Sequence, residues 1–255
     1  MSEKQVNWSV AVRNVIVTGG SRGLGLGIAQ RLASNGYRAI AIARKQSEQL
    51  DIAMRESLGG SGELCFRAHD LEDTDTIPEL IRDLRKDFGP LYGLVNNAGL
   101  GTSGVLAIMP DGLTEQLFRI NVLSPIAMSK YFVRAAMTDS VGRRIVNIAS
   151  IVAATGFKGL SVYSGTKAAL IGFTRSLSRE LGPLGITVNA IAPGFIDTDM
   201  TRHMDAAERD RVVRRSALGR LPEIEDVANT ASFLLSEEAK NITGTVLTVD
   251  AGNTA

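Results

Sequence analysis

Seven short apolar runs punctuate the chain: residues 15–17, 39–43, 64–68, 92–95, 145–148, 186–191 and 246–249. A continuous apolar run of this length reads as a strand buried on both faces. Between the runs the apolar positions change to helical spacing. Ile28, Leu32 and Ala33 follow the first run and stop at Asn35-Gly36. Ile77, Leu80, Ile81, Leu84 and Phe88 mark a helix that starts near residue 74. Leu113, Leu117, Phe118, Ile120, Val122 and Leu123 open another, from Asp111 to about Met137. Asn121 interrupts its apolar face, and Pro125 inside it predicts a kink with a freed carbonyl. A helix with Tyr163, Lys167, Leu170, Phe173 and Leu177 runs to Gly182-Pro183, and one more surrounds Val227, Ala228 and residues 233–235. Strands that alternate with helices predict a parallel, doubly wound α/β sheet of seven strands with helices on both faces. No repeat or linker interrupts the pattern, so one domain is expected over 1–255. Residues 195–219 are polar and charged, with no strong period, and read as a mobile substrate lid or a surface excursion.

Composition narrows the class. The 255 residues suffice for a large core, and the formal net charge of +1 comes from cations spread along the chain. A nucleic-acid binder would gather them into a basic stripe. Cys65 is the one cysteine, so no intrachain disulfide forms, and a small core residue is its expected role. Residues 1–14 hold no apolar stretch long enough for a signal peptide. No run approaches the roughly eighteen apolar residues of a membrane span. The expectation is a soluble cytoplasmic protein. His69, one of two histidines, has no ligand-like partner near it, so no metal is expected and a solvated loop position is.

The candidate chemistry sits at the ends of the runs. Residues 15–17 enter Thr18-Gly19-Gly20-Ser21-Arg22-Gly23-Leu24-Gly25. Strand, glycine turn and helix together present backbone N–H groups to an anion such as a pyrophosphate. The spacing of Gly19, Gly23 and Gly25 departs from the best-known dinucleotide fingerprint, and the plainer reading is a tight turn. The second run ends at Arg44-Lys45, where an NAD enzyme usually carries an acid on the ribose 2′-hydroxyl. With no acid present, Arg44 can pair a 2′-phosphate, helped by Arg22, which implies NADP(H). Asp70 can accept from an adenine amino group or cap its own turn. Asn97, Ala98 and Gly99 can pack against a flat ligand. Ser150 ends the fifth run. Tyr163 and Lys167 lie one turn apart on one helix face, where a cation lowers the pKa of a phenol toward the range of a working acid. Taken alone, that pair is also a common surface contact.

Ligands of open α/β sheets bind outside the carboxyl ends of the strands, and every residue just named falls there or on the next helix. At this point the chain resembles a known family. Thr18-Gly19-x-x-x-Gly23-x-Gly25, Asn96 to Gly99, Asn121, Ser150, Tyr163-x-x-x-Lys167 and Pro193-Gly194 look like the Rossmann-type short-chain dehydrogenases/reductases. Within that family the chain is most similar to the 3-oxoacyl-(acyl-carrier-protein) reductases of fatty acid synthesis. Ser21-Arg22-Gly23, residues 193–200 and residues 241–244 carry that similarity. The resemblance implies that Tyr163 protonates the carbonyl oxygen, Ser150 hydrogen-bonds it, and Lys167 holds the nicotinamide ribose and lowers the Tyr163 pKa. Asn121 would hold a water on the proton path. Gly19, Ser21, Arg22, Gly23, Leu24, Gly25, Arg44, Asp70, Leu71, Asn97, Ala98, Gly99, Tyr163, Lys167, Pro193, Gly194, Ile196 and Thr198 would bind the cofactor. A homotetramer is implied, pairing the helices around Asn121 and Tyr163.

Some positions depart from the family. Its carrier-protein reductases place basic residues just before the fifth strand and after the catalytic helix. Val141 and Leu184 fall there, with Arg134, Arg143 and Arg144 nearby as substitutes. Asp250-Ala251-Gly252 replaces the usual Asp-Gly-Gly. Reduction of another ketone, sugar, quinone or steroid is the alternative, and a non-catalytic dinucleotide sensor is a third reading.

Overall fold

The computed structural model describes residues 12–136, 143–197 and 206–255. Seven strands form one parallel sheet: β1 (Asn14–Thr18), β2 (Arg38–Ala43), β3 (Glu63–Ala68), β4 (Leu91–Asn96), β5 (Arg144–Ile148), β6 (Thr187–Pro193) and β7 (Val246–Val249). Their spatial order is β3-β2-β1-β4-β5-β6-β7. The order reverses beside β1, which leaves a crevice between β1 and β4 at their carboxyl ends. Every residue of β1, β4, β5 and β6 is buried. That is why these strands read as continuous apolar runs.

Helices cover both faces. They are α1 (Gly23–Ser34), α2 (Glu48–Ser57), α3 (Ile77–Phe88), α4 (Asp111–Phe118), α5 (Ser124–Ala136), α6 (Val152–Thr155), α7 (Ser161–Leu181), α8 (Ala206–Arg215) and α9 (Ile224–Leu235). Val15 and Val17 point to one face, where Ile28 and Leu32 of α1, Leu50 of α2 and Leu234 of α9 close a core. Ile16, between them, points to the other, against Leu84 of α3, Phe132 of α5 and Leu181 of α7. This is the two-residue alternation of a strand with both faces covered. α1 and α9 approach closely because position 27 is glycine: a Cβ there would stand 2.2 Å from the Ile224 side chain.

Two features differ from the sequence expectation. The helix expected from Asp111 onward is broken before Pro125, not at it. Residues Arg119–Leu123 form a π turn that carries Asn121 and joins α4 to α5. Pro125 has no N–H to give the Asn121 carbonyl, which favours a wider turn at that point. α2 had no counterpart in the periodicity reading. Its signal is the cap Ser47, whose hydroxyl accepts from Leu50 N at 3.1 Å, followed by the buried pair Leu50 and Ala53. Among the described residues no helix is long and apolar enough to cross a membrane, and no acid, histidine and cysteine cluster could hold a metal ion.

Candidate active site

The first loop is shaped to receive an anion. Gly19 and Gly23 have φ of +66° and +54°, a backbone region that favours glycine. A Cβ on Gly25 would lie 2.2 Å from the Gly19 carbonyl oxygen. A Cβ on Gly23 would meet nothing within 4 Å, so that backbone faces open space. α1 starts there with no side-chain cap and no acid in its first turn. Its free N–H groups and positive dipole end are therefore available to a ligand. Thr18 locks this loop to the end of β4. Its hydroxyl accepts from Asn97 N and Ala98 N, both at 2.9 Å, and donates to the Val95 carbonyl at 3.3 Å. The Asn97 amide donates back to the Thr18 carbonyl at 2.9 Å. Asn97 thus serves first as a brace between two loops.

A cleft of about 570 Å³ runs along the carboxyl edge of the sheet. Gly19, Ser21, Arg22, Gly23, Leu24 and Gly25 line one part, with Arg44, Asp70 and Leu71 beside them. Asn97, Ala98, Gly99, Ser150, Tyr163, Lys167, Pro193, Gly194 and Ile196 line the rest. Thr198 lies outside the described residues, as do Val141 and part of the lid expected over 195–219. The described part of that lid includes α8, a helix its weak periodicity did not announce.

At the catalytic end, Lys167 is buried and its Nζ donates to the Ile148 carbonyl at 2.8 Å. Burial pulls its pKa down to about 8. The Tyr163 phenol is pushed up to about 12 by burial, and hydrogen bonding with the Ser150 hydroxyl draws it the other way. Lys167 was expected to lower the Tyr163 pKa. Here the ammonium lies 5.7 Å from the ring centroid and spends its hydrogen bond on the backbone, so burial decides. Asn121 does not line the cleft; it sits one layer behind. Its Oδ1 accepts from Leu100 N at 2.8 Å, and its Nδ2 donates to the Leu100 carbonyl at 2.9 Å and to the Thr166 hydroxyl at 3.1 Å. A Cβ on Gly99 would stand 3.2 Å from Asn121 Oδ1 and 3.4 Å from Lys167 Nζ. Glycine at 99 therefore leaves room for both groups beside its backbone.

At the other end, Arg44 is exposed and has no acidic partner among the described residues. Asp70 takes the second of the two roles its sequence allowed. Its carboxylate accepts from Glu72 N at 3.0 Å, capping its own turn, and still borders the cleft. His69 is not the solvated loop residue expected. It is half-buried in the cleft wall, its Nε2 lies 3.1 Å from the Thr76 hydroxyl, and burial lowers its pKa. Gln116 and Ile120, which sequence reasoning passed over, also line the cleft. Gln116 bonds Glu72 across it at 3.1 Å. Of the three arginines offered for carrier docking, Arg143 and Arg144 are only 2% and 4% exposed, and Arg144 pairs with Glu237 at 3.5 Å. Only Arg134 remains on the surface.

A family model described as enoyl-(acyl carrier protein) reductase matches residues 19–254. FabG of Escherichia coli K12, named a 3-oxoacyl-(acyl-carrier-protein) reductase, is 39% identical over 237 residues, 93% of this chain and 95% of that protein. The chain belongs to the short-chain dehydrogenase/reductase family. Other short-chain dehydrogenases/reductases repeat the match in sequence and in three dimensions. The Pseudomonas aeruginosa FabG is 38% identical over 238 residues, 93% of this chain and 95% of that protein. A solved double mutant of a Serratia marcescens short-chain dehydrogenase/reductase superposes with a TM-score of 0.87 at 31% identity, covering 95% of this chain and 98% of that one. A gluconate 5-dehydrogenase of Burkholderia cenocepacia, solved with NADP and tartrate, gives 0.89 at 25% identity over 95% of each chain. As a short-chain dehydrogenase/reductase, this chain is an oxidoreductase that acts on the CH–OH/C=O pair.

Proposed function

We propose that this chain is an NADPH-dependent reductase that converts 3-oxoacyl thioesters on an acyl carrier protein into 3-hydroxyacyl thioesters. One observation carries the reading: a single cleft joins the glycine turn and Arg44, which has no acidic partner among the described residues, to Ser150 and Tyr163. The names of the relatives supply the thioester and the carrier protein.

NADPH, when bound, supplies a hydride to the carbonyl carbon. The chain's residues do the remaining work. The Gly19–Gly25 backbone and the α1 N-terminus hold the pyrophosphate. Arg44, with Arg22, holds the 2′-phosphate; Asp70 and Leu71 flank the adenine. Asn97 to Gly99 would form the wall behind it, Pro193, Gly194 and Ile196 would border the nicotinamide, and the family resemblance adds Thr198 as a further contact. Lys167 holds the ribose next to the reacting atoms. Ser150 donates a hydrogen bond to the substrate carbonyl oxygen. Tyr163 transfers its proton to that oxygen as negative charge develops on it. Two hydroxyls within hydrogen-bond reach of each other in one cleft suit a reacting oxygen, which favours carbonyl reduction over reduction of a carbon–carbon double bond. Asn121 keeps the Leu100 backbone and α7 in register beside Lys167. The exposed Phe118, Leu123 and Ile126 on the α4–α5 face support pairing of these helices in a homotetramer. Residues 1–255 then act as one catalytic domain, with the lid over 195–219.

The test is NADPH oxidation with acetoacetyl-acyl carrier protein, beside acetoacetyl-CoA, crotonyl thioester and a panel of ketones. Preference for the carrier-linked 3-oxo substrate supports the reading. Turnover of the crotonyl thioester alone would replace it with an enoyl reductase. Good turnover of a free ketone or sugar, with none of a thioester, would remove the carrier.

A further inference from the structure

Gln116 and Glu72 bridge the cleft, and neither belongs to the glycine turn or the catalytic group. β3 is an edge strand of the sheet, so the loop after it has a strand neighbour on one side only. The start of that loop is tied to the neighbour: His69 N donates to the Ala43 carbonyl at 3.0 Å. Its end is tied back on itself. The Thr76 hydroxyl lies 3.1 Å from His69 Nε2 and donates to the Asp73 carbonyl at 2.9 Å. Asp70, Leu71 and Glu72 stand between these two anchors and line the cleft.

The opposite wall supplies a third hold. β2 and β1 separate β3 from β4 in the sheet, and α4 follows β4 in the chain. Gln116 and Ile120 are four residues apart, and both line the cleft. Gln116 Nε2 lies 3.4 Å and 3.1 Å from the two carboxylate oxygens of Glu72. Both side chains are half-buried. Glu72 N in turn donates to Asp70 Oδ1 at 3.0 Å. One chain of hydrogen bonds therefore runs from α4, across the crevice, to the Asp70 carboxylate. A carboxylate has about four acceptor sites, and the Glu72 bond takes one of them. The remaining sites suit a donor such as the adenine amino group. A hydrogen bond to a carboxylate is stronger than one between neutral groups. A loop already held in its binding form also loses less freedom when the ligand arrives.

We propose that Gln116 is a positioning residue for coenzyme recognition: it holds Glu72 across the cleft and so fixes the Asp70 carboxylate where it meets the adenine amino group. The proposal rests on NADP(H) in this cleft and needs neither the thioester nor the carrier protein. Gln116 acts through Glu72 and Asp70, so its removal changes how well adenine is recognised and leaves the hydride and proton transfers alone.

The test is fluorescence titration of the full chain with NADPH and with its deaminated analogue, in which hypoxanthine replaces adenine. The natural protein should bind NADPH about tenfold more tightly than the analogue. Gln116→Met keeps the length of the side chain and removes its donors. It should weaken NADPH about fivefold and the analogue by less than about twofold. Glu72→Ala should do the same, and the double variant should lose no more than either single one, because both delete one bond. Glu72→Gln keeps an acceptor for Gln116 and should hold NADPH affinity within about twofold of the natural value. If Glu72→Ala does not fold, Gln116→Met and Glu72→Gln decide by themselves. NADPH affinity within about twofold of the natural protein in Gln116→Met overturns the proposal. So does equal weakening of both coenzymes, which would make the bridge a brace of the fold, and so do losses that multiply in the double variant. No carbonyl substrate enters these titrations, so loss of the thioester reading would leave their result standing.

Discussion

Lys167 gives its 2.8 Å hydrogen bond to the backbone carbonyl of Ile148, the last residue of β5, two residues before Ser150. The ammonium is thereby tied to the strand that delivers Ser150, with its Nζ 5.7 Å from the Tyr163 ring centroid. Its charge is held in a buried place, at a pKa of about 8, while the Tyr163 proton is held to about 12. The acid is therefore fully protonated at neutral pH, and the group that titrates first is the lysine.

A pH dependence follows from that order. kcat/KM reports the ionisation of the free enzyme. If charged Lys167 is the working form, kcat/KM for reduction should fall as pH rises through about 8, well before Tyr163 ionises. Stability should move the other way. Between pH 8 and about 10 the unfolded chain keeps its Lys167 proton and the folded chain has lost it, so the lysine contribution to stability rises with pH. Above pH 10 the unfolded tyrosine ionises while Tyr163 stays protonated up to about 12, and that contribution falls. Urea unfolding at pH 7.5, 8.5 and 9.5 should show the rise in the natural protein and its loss in Lys167→Met. A rise of equal size in Lys167→Met would assign it to another group.

Removing the acid should separate chemistry from binding. Tyr163→Phe keeps the ring and deletes the proton, so turnover should drop by about a thousandfold, within the range for a general acid. NADPH affinity, measured by fluorescence titration, should change by less than about threefold, since the glycine turn, Arg44 and Lys167 are untouched and the ring is kept. Ser150→Ala should cost less, about ten- to a hundredfold in kcat. Wild-type rates in Tyr163→Phe would sink the mechanism.

Coenzyme choice should depend on the end of β2. A charge-assisted hydrogen bond contributes about 1.5–3 kcal/mol, or roughly ten- to a hundredfold in affinity. Arg44→Asp should therefore raise the NADPH KM at least about tenfold and leave the NADH KM within about twofold. Equal changes for both coenzymes would take Arg44 out of the 2′-phosphate site.

The sequence was most legible where one property dictates one position. Continuous apolar runs reported buried strands, and residues at their carboxyl ends reported the cleft, because a parallel sheet must open there. Interactions between distant polar groups left no such trace. Asn96, Asn147, Ser129 and Thr174 form a buried chain of hydrogen bonds through β4, β5, α5 and α7, with distances of 3.0, 2.8 and 2.8 Å. Each residue alone reads as an ordinary polar interruption. Arg143 and Arg144 misled for the same reason. Cations normally lie on the surface, and only the fold shows that Tyr92 and Glu237 receive Arg144. The π turn at Asn121 was half visible, since Pro125 announced a disturbance without giving its form.

The departure at Ala251 has an energetic consequence. Ala251 is the one non-glycine residue with positive φ among the described residues, at 55°. Its carbonyl accepts from Leu218 N at 3.1 Å, and the Gly252 carbonyl accepts from Ala217 N at 3.3 Å, so this turn anchors the segment that follows α8. The left-handed region costs an alanine roughly 1–2 kcal/mol. Glycine escapes that strain but loses roughly 0.5–1 kcal/mol more in chain entropy on folding. The balance favours Ala251→Gly by about 0.5–1 kcal/mol, or about 1–3 °C in Tm for a chain of this size. Thermal unfolding of the two proteins side by side is the check. A lower Tm for Ala251→Gly would show that the alanine methyl contributes more in contacts than its backbone costs in strain.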